Sequence, residues 1–320
     1  MTVLIAEALN VLTASSLPVP SVLTCDAYPS AKKFLQSRPA GVYTCVRAQL
    51  KVLNLEPVLS RVLVEWPFHV QRLTAGLVIM DIKFKHDKLK LKRLQMATEV
   101  VATNVMIQWQ ASETVDGMLS VLWYPLEESD DYGVAVHICA MPQPKCLAST
   151  VLVYGEGREN ARCKHTQWIE DRVPLETHMA HLMETRGEPI HEVLLSKAAQ
   201  GEDRFLLEGL VTNFFVVMDG QLYTAGQDVL QGSTRELVLK ACRDLFIPVI
   251  LEAPRLLDRE SWQAAFVTSA VRVVIDVTRL LYEEKVSEHL VVRETLIPCD
   301  KTGLVQRIRD QISMQRMYLQ

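Results

Sequence analysis

Cysteine is sparse and shows no pairing pattern. Seven occur in 320 residues, at positions 25, 45, 139, 146, 163, 242 and 299. The number is odd and no Cys-x-x-Cys occurs, which excludes a disulfide framework and argues against a structural zinc site. A reducing cytoplasm is the expected compartment. Neither sign of charge dominates: 34 Lys+Arg stand against 38 Asp+Glu, a net charge of −4. That balance gives no global attraction to nucleic acid or to an anionic membrane. No run of about 18 apolar residues occurs, so no transmembrane helix is expected. No Lys or Arg precedes Lys32. The first residues therefore lack the basic region of a secretion signal and the Arg-rich pattern of a mitochondrial presequence. Internal repeats and low-complexity segments are also missing.

The chain is 49% hydrophobic, enough for a sizeable core and for two domains or one large one. The first 40 residues carry Pro18, Pro20, Pro29 and Pro39 and read as a loosely structured lead-in. GVYTCVRAQLKVLNL alternates and reads as a strand. Pro67 opens a helix, PFHVQRLTAGLVIM. Residues 87–104 place Leu91, Leu94, Ala97 and Val101 at helical spacing. Two strands follow, GMLSVLWYP and YGVAVHICAMP, and MPQPKC (141–146) reads as a linker. Beyond it, STVLVYGEG is a strand, CKHTQWIEDR and its sequel read as helical until Pro174, and HEVLLS is another strand. RFLLEGLVTNFFVV (204–217) and QLYTA are joined by Asp219-Gly220, a strong hairpin signal. A helix begins near Thr234 with Leu237, Val238, Ala241, Cys242 and Leu245 on its apolar face. QAAFVTSAVRVVIDV is a strand pair or a bent strand. The expected fold class is α+β in two domains. A small N-terminal α/β domain spans 1–143, a linker 144–154, and a larger C-terminal domain 155–320.

Four features carry possible chemistry. Ser233 and Glu236 form a Ser-x-x-Glu capping box behind Gly232, and the start of such a helix suits an anion, phosphate above all. A plain capped helix is the alternative. Glu208 interrupts an apolar strand, where a carboxylate needs a cation or strong donors; otherwise it faces water at an edge. Lys164 follows a glycine-rich turn and can form a Schiff base with a carbonyl cofactor, or is an ordinary surface lysine. Arg72, in HVQRL, has the fork geometry to clamp phosphate, or is a solvated helix arginine.

The order of these features, HxxRL, then Lys164, Glu208, Asn213-Phe214, a hairpin and Gly-Ser-Thr-Arg at a helix start, resembles the class IV aminotransferase family. These are the fold-type IV pyridoxal-phosphate enzymes: branched-chain and D-amino-acid aminotransferases and aminodeoxychorismate lyase. The resemblance runs from about Gly41 to Val277 and is most specific in LLEGLVTNFFVVMDGQLYTA and LQGSTRELVL. It implies a larger domain that is β-barrel-like with helices and binds pyridoxal 5′-phosphate. Lys164 matches the family's Schiff-base lysine and proton carrier. Glu208 matches the glutamate that pairs with the pyridine nitrogen, and Arg72 the phosphate-binding arginine. Gly232, Ser233 and Thr234 match the phosphate-binding turn. A family threonine that contacts phosphate falls on Ala270, with Thr268 and Ser269 beside it; either hydroxyl can substitute if the register shifts by a residue or two, and Ser269 is assigned to the site. The tyrosine that branched-chain transaminases carry shortly after the lysine has no counterpart in HTQWIE, which argues against that substrate class. Tyr43 and Arg47 are the candidates for the substrate pocket.

The implied activity is a pyridoxal-phosphate-dependent aminotransferase acting on an amino acid and a keto acid, as a cytoplasmic homodimer without nucleic-acid or membrane partners. A lyase resembling aminodeoxychorismate lyase is the runner-up. A non-catalytic descendant serving as a binding protein is a third reading. The basic stretch 82–94 reads as a solvated helix face rather than a nucleic-acid patch. His178, His181 and Glu184 have a metal-like spacing without a clear further ligand, so no metal is assigned. Cys163 reads as a packing residue.

Overall fold

The computed structural model describes residues 2–17, 20–49, 59–112, 115–127, 129–143, 148–201, 203–287 and 289–318. The distal part of the strand expected from GVYTCVRAQLKVLNL, Pro18 and most of the expected linker's first residues (144–147) lie outside them. The chain divides into two compact units. One comprises Met1–Pro142, Cys163–Asp171 and Arg316–Gln320, the other Gln143–Arg162 and Arg172–Gln315. The segment bearing Lys164 thus belongs to the first unit, while its flanks on both sides belong to the second.

The first unit is built on five antiparallel strands, β1 (Leu4–Ala8), β2 (Leu23–Thr24), β3 (Val42–Ala48), β4 (Gly117–Pro125) and β5 (Tyr132–Ala140). Their order is β2-β1-β5-β4-β3. The lead-in is therefore not loose. Leu4, Ala6 and Ala8 alternate inward, and β1 pairs with β5 in the middle of the sheet. Period-two burial outweighs the prolines that follow. The helices of this unit are α1 (Ala31–Gln36), α2 (Leu59–Val62), α3 (Trp66–Met80), α4 (Lys88–Ser112) and the short α5 (Trp168–Asp171). Pro67 sits in the first turn of α3, as its missing N–H allows. On α4 the buried stripe Leu91, Leu94, Ala97 and Val101 continues through Val105, Met106 and Trp109, so the helix outruns the expected 104. Trp123 of β4 packs beneath it and donates from Nε1 to Thr98 Oγ1 at 2.7 Å. In the basic stretch, Lys83 pairs with Asp81 and Asp130, and Arg93 donates to the carbonyls of Val11 and Ala14.

The second unit has nine strands. They are β6 (Ala148–Glu156), β7 (Glu192–Ala198), β8 (Arg204–Gly209), β9 (Asn213–Met218), β10 (Gln221–Tyr223), β11 (Val249–Ile250), β12 (Ala264–Ser269), β13 (Val273–Val286) and β14 (His289–Leu296). Six run in the order β9-β12-β13-β6-β7-β8. The pairing of Glu208 with Asn213 joins β8 back to β9, closing them into a barrel-like ring. One face of these strands gathers Val151, Val153, Leu194, Leu206, Phe214, Val216 and Val267 into a core. Among the described residues the α-helices are α6 (Val173–Arg186), α7 (Ser233–Asp244) and α8 (Leu304–Tyr318), the last belonging to this unit as far as Gln315. α7 packs on β12, and the rings of Phe215 and Phe266 stack across β9 and β12.

Two local expectations change here, and a third holds. Residues 204–217 form two strands separated by a turn at Leu210–Thr212, rather than one. Asp219 and Gly220 both adopt positive φ, 52° and 71°, and make the β9–β10 hairpin as expected. Pro174 does not end a helix; it lies in the first turn of α6, where proline costs no hydrogen bond.

Candidate active site

In the first unit, residues 164–166 lie along the edge strand β3. Tyr43 N–H donates to Lys164 O at 2.8 Å and Thr166 N–H to Gly41 O at 2.9 Å, with a bridge between Val42 and His165. Gly41 N–H also donates to Thr166 Oγ1 at 3.0 Å. The lysine is thus set by sheet pairing, not by the helix expected there. Its Nζ stands 4.6 Å from the ring centre of Tyr43, within cation–π range. Cys163, buried, donates from Sγ to Gly76 O at 3.5 Å, in keeping with a packing role.

Arg72 projects from α3 one turn after His69. Its Nη2 donates to Thr44 Oγ1 at 2.6 Å and lies 3.3 Å from His69 Nδ1. The Thr44 hydroxyl stands 2.6 Å from that same Nδ1. Having accepted from a guanidinium, which can only donate, it donates its own O–H to Nδ1. This fixes His69 as the neutral Nε2–H tautomer. Burial first, then Arg72 and Lys164, hold His69 well below its usual 6.5. Burial also lowers Arg72 to about 10, against the opposing pull of Cys45 and Tyr43. Bringing an anion to this cluster would offset that desolvation cost. Tyr43 is buried, and Arg47 is engaged with Asp116 at 3.3 Å.

In the second unit, Glu208 is 4% exposed, not the water-facing edge residue of the alternative reading. Arg158 Nε donates to Oε1 at 2.9 Å and Leu230 N–H donates to Oε2 at 2.8 Å. Arg158 also donates from Nη2 to Ala161 O at 2.6 Å. Leu230 O in turn accepts from Asn213 Nδ2 at 2.8 Å. A Cβ on Gly232 would sit 2.2 Å from Asn213 Oδ1, so only glycine allows this approach.

The expected capping box is not formed. Gly232, with extended φ and ψ, is the N-cap of α7, and Ser233 is already the first helical residue. The cap has shifted by one position, so no side chain caps the helix start, and the positive end of the dipole remains there. Ser233 and Thr234 are both buried. Arg235, also buried, donates to Gln231 Oε1 at 2.6 Å and to Ala225 O at 3.0 Å. Ser269 Oγ accepts from Arg272 N–H at 3.0 Å, bracing the turn after β12.

Two contributors went unassigned from sequence. Arg158 carries no motif of its own in the sequence, although a carboxylate in an apolar strand does demand a cation. Glu192 gave no signal. It is fully enclosed and accepts from Thr212 Oγ1 at 2.9 Å, Leu210 N–H at 3.1 Å and Val193 N–H at 3.2 Å, with Arg272 Nη1 at 3.4 Å. The spacing of His178 has a plain explanation: its ring stacks on Tyr154 and its Nε2 lies 3.1 Å from Glu283. Among the described residues no group of three or more His, Cys, Asp and Glu side chains could hold a metal ion.

These donor sets suit a compound with a phosphate, a carbonyl and a basic ring nitrogen. Within the first unit a buried guanidinium suits a phosphate and a primary amine a carbonyl; within the second an uncapped helix start suits a phosphate and an enclosed carboxylate a basic ring nitrogen. The fold is that of the fold-type IV aminotransferases, as solved structures bear out. A hypothetical aminotransferase from Mycobacterium tuberculosis in its pyridoxal-phosphate-bound form is 16% identical, with a TM-score of 0.64 over 97% of this chain and 99% of that one. A fold IV transaminase from Curtobacterium pusillum is 13% identical, with a TM-score of 0.65 over 98% and 99%. The branched-chain aminotransferase of Thermoproteus uzoniensis, solved with norvaline, is 17% identical, with a TM-score of 0.63 over 100% and 97%. No curated protein matches the chain in sequence. The model of the class IV aminotransferases matches residues 56–280, and the chain belongs to that family. Its chemistry is accordingly aminotransferase-like and dependent on pyridoxal phosphate. Among the described residues no helix is long and apolar enough to cross a membrane.

Proposed function

We propose that this protein transfers an amino group between an amino acid and a keto acid, with Lys164 as the covalent attachment point of pyridoxal phosphate and the carrier of the α-proton. Bound pyridoxal phosphate supplies the electron sink that makes that proton acidic. Lys164 Nζ takes the proton and returns it, a general base and acid in turn. Its backbone, paired with Gly41 and Tyr43, holds the amine's starting point still. Arg72, Gly232, Ser233, Thr234 and Ser269 are proposed to bind the phosphate. Glu208 is proposed to accept from the ring nitrogen, keeping it protonated. Tyr43 and Arg47 are proposed to line the substrate pocket.

The observation that carries this reading is Glu208: a carboxylate enclosed in an apolar strand and held there by Arg158 and the Leu230 N–H. A neutral structural role would not require burying a charge there. HTQWIE, lacking the tyrosine, favours substrates other than the branched-chain amino acids. Structural neighbours solved with norvaline and with alpha-ketoglutarate are consistent with an amino acid and keto acid pair. The protein is further proposed to be a cytoplasmic homodimer.

An absorbance spectrum of the protein with added pyridoxal phosphate tests this. A band near that of a lysine-bound cofactor, lost on borohydride reduction and missing in Lys164→Ala, is the expected result. No such band in the wild-type protein refutes the reading. Panels of L- and D-amino acids then identify the reaction: conversion to the pyridoxamine form marks a transaminase, and pyruvate release without an acceptor marks a lyase. Sedimentation gives the oligomeric state, and cell fractionation the compartment.

A further inference from the structure

The position matched to the family's phosphate threonine is Ala270, which has no hydroxyl to donate. Two hydroxyls stand next to it, and the structure treats them differently. Ser269 Oγ accepts from Arg272 N–H and braces the turn. Thr268 is 1% exposed, and its Oγ1 is buried with no hydrogen-bond partner. A buried hydroxyl without a partner is unfavourable and calls for an explanation.

Strand register says where that hydroxyl points. Thr268 on β12 is directly opposite Asn213 on β9, and side chains directly opposite in an antiparallel pair share one face of the sheet. The Asn213 side chain on that face reaches the Leu230 carbonyl and lies against Gly232, the cap of α7. Phe215 and Phe266, two residues away on each strand, stack on the same face. Thr268 Oγ1 is therefore directed toward the same helix start, whose cap offers no side-chain acceptor.

We propose that Thr268 is a phosphate-binding residue of this chain, its hydroxyl donating to the phosphate monoester of the cofactor at the start of α7. The proposal deepens the reading above and rests on it. Ser269 holds the turn, and Thr268 supplies the contact that Ala270 does not make.

The test compares three compounds on the full-length protein: pyridoxal phosphate, pyridoxal and inorganic phosphate. Thr268→Val keeps the shape and removes the hydroxyl, and it should weaken pyridoxal phosphate binding about tenfold or more, the scale of one hydrogen bond to a charged group. Its affinity for pyridoxal, which has no phosphate, should stay at the wild-type value. Thr268→Ser should restore pyridoxal phosphate binding. Equal affinity of wild type and Thr268→Val for pyridoxal phosphate overturns the proposal. So does an equal loss of both pyridoxal compounds, which marks a packing role. If wild-type protein forms no lysine adduct, the enzyme reading fails by itself, and inorganic phosphate then decides about Thr268. Thermal protection of wild type but not of Thr268→Val sustains the anion site, and no protection of either overturns it.

Discussion

Arg158 grips Glu208 inside the second unit. Its Nε donates to Oε1 at 2.9 Å, and the two side chains are only 9% and 5% exposed. An ion pair this enclosed costs solvation to assemble, and removing one partner strands the other. Arg158→Ala should therefore destabilise the protein by about 3–5 kcal/mol, the range for a broken buried pair. Chemical denaturation measures the loss. The double variant Arg158→Met/Glu208→Leu should recover most of it, because no charge is left behind. A loss that stays the same in the double variant would mean that the charges do not matter there.

Gly232 permits no side chain. A methyl group there would meet Asn213 Oδ1 at 2.2 Å, and Asn213 could yield only by giving up its bond to Leu230 O. Gly232→Ala should cost about 1–3 kcal/mol, as overpacked sites do. Gly201, whose added Cβ would meet nothing within 4 Å, tests crowding against backbone effects. Its positive φ of 70° means that Gly201→Ala reports backbone strain without a clash. Thermal melts of the two variants separate the effects.

Stability should fall with acid partly through His69. Its pKa is held well below 6.5 in the folded protein, chiefly by burial, so the unfolded chain takes up a proton that the folded one refuses. The stabilisation is present above the unfolded value and is lost progressively as pH falls below about 6.5. His137, His165 and His191 are lowered as well, each chiefly by burial, and act with the same sign. His69→Gln keeps a hydrogen-bonding group beside Thr44 and removes the titration. Its unfolding free energy should fall less steeply between pH 6.5 and 5 than that of the wild type. Denaturation curves across that window decide, and an identical slope would count against the assignment.

Glu192 joins two turns of the second unit, Leu210–Thr212 by hydrogen bonds and the turn after β12 through Arg272. Burial pushes its pKa up even though Arg272 pulls it down. Glu192→Ala removes the carboxylate that accepts from the Thr212 hydroxyl and the Val193 N–H and faces the Arg272 guanidinium. A loss of about 3–5 kcal/mol is expected, on the scale of an unpaired buried charge. Hydrogen exchange should locate faster opening at residues 210–212.

Much of this was legible where the signal is local. The stripe on α4, Pro67 at the head of α3 and the Asp219-Gly220 turn each depend on residues within a few positions of one another. β1 was obscured because Pro18 and Pro20 dominate the composition of its neighbourhood, while its alternation covers only five residues. Pro174 is ambiguous by nature, since proline both ends helices and begins them. The Ser233 cap slipped by one because Gly232 can cap with its backbone alone. The affiliation of Lys164 was hidden for a deeper reason. Gly41 and Tyr43, which decide it, lie far away in sequence, and backbone pairing leaves no mark on side-chain pattern. Arg158 as the partner of Glu208 was half legible: the need for a cation could be read, but its identity could not.

The seating of Lys164 separates the scaffold from the amine proposed above to be the reagent. The chain is moored at that point through main-chain atoms of residues 164 and 166, which any amino acid supplies. The amine hangs from an anchorage that does not depend on it. Exchanging this lysine for another residue should thus silence the chemistry while leaving the local architecture intact. Mutation at this position can retire the reagent without demolishing its housing, and the housing then remains available to selection for a purpose other than turnover.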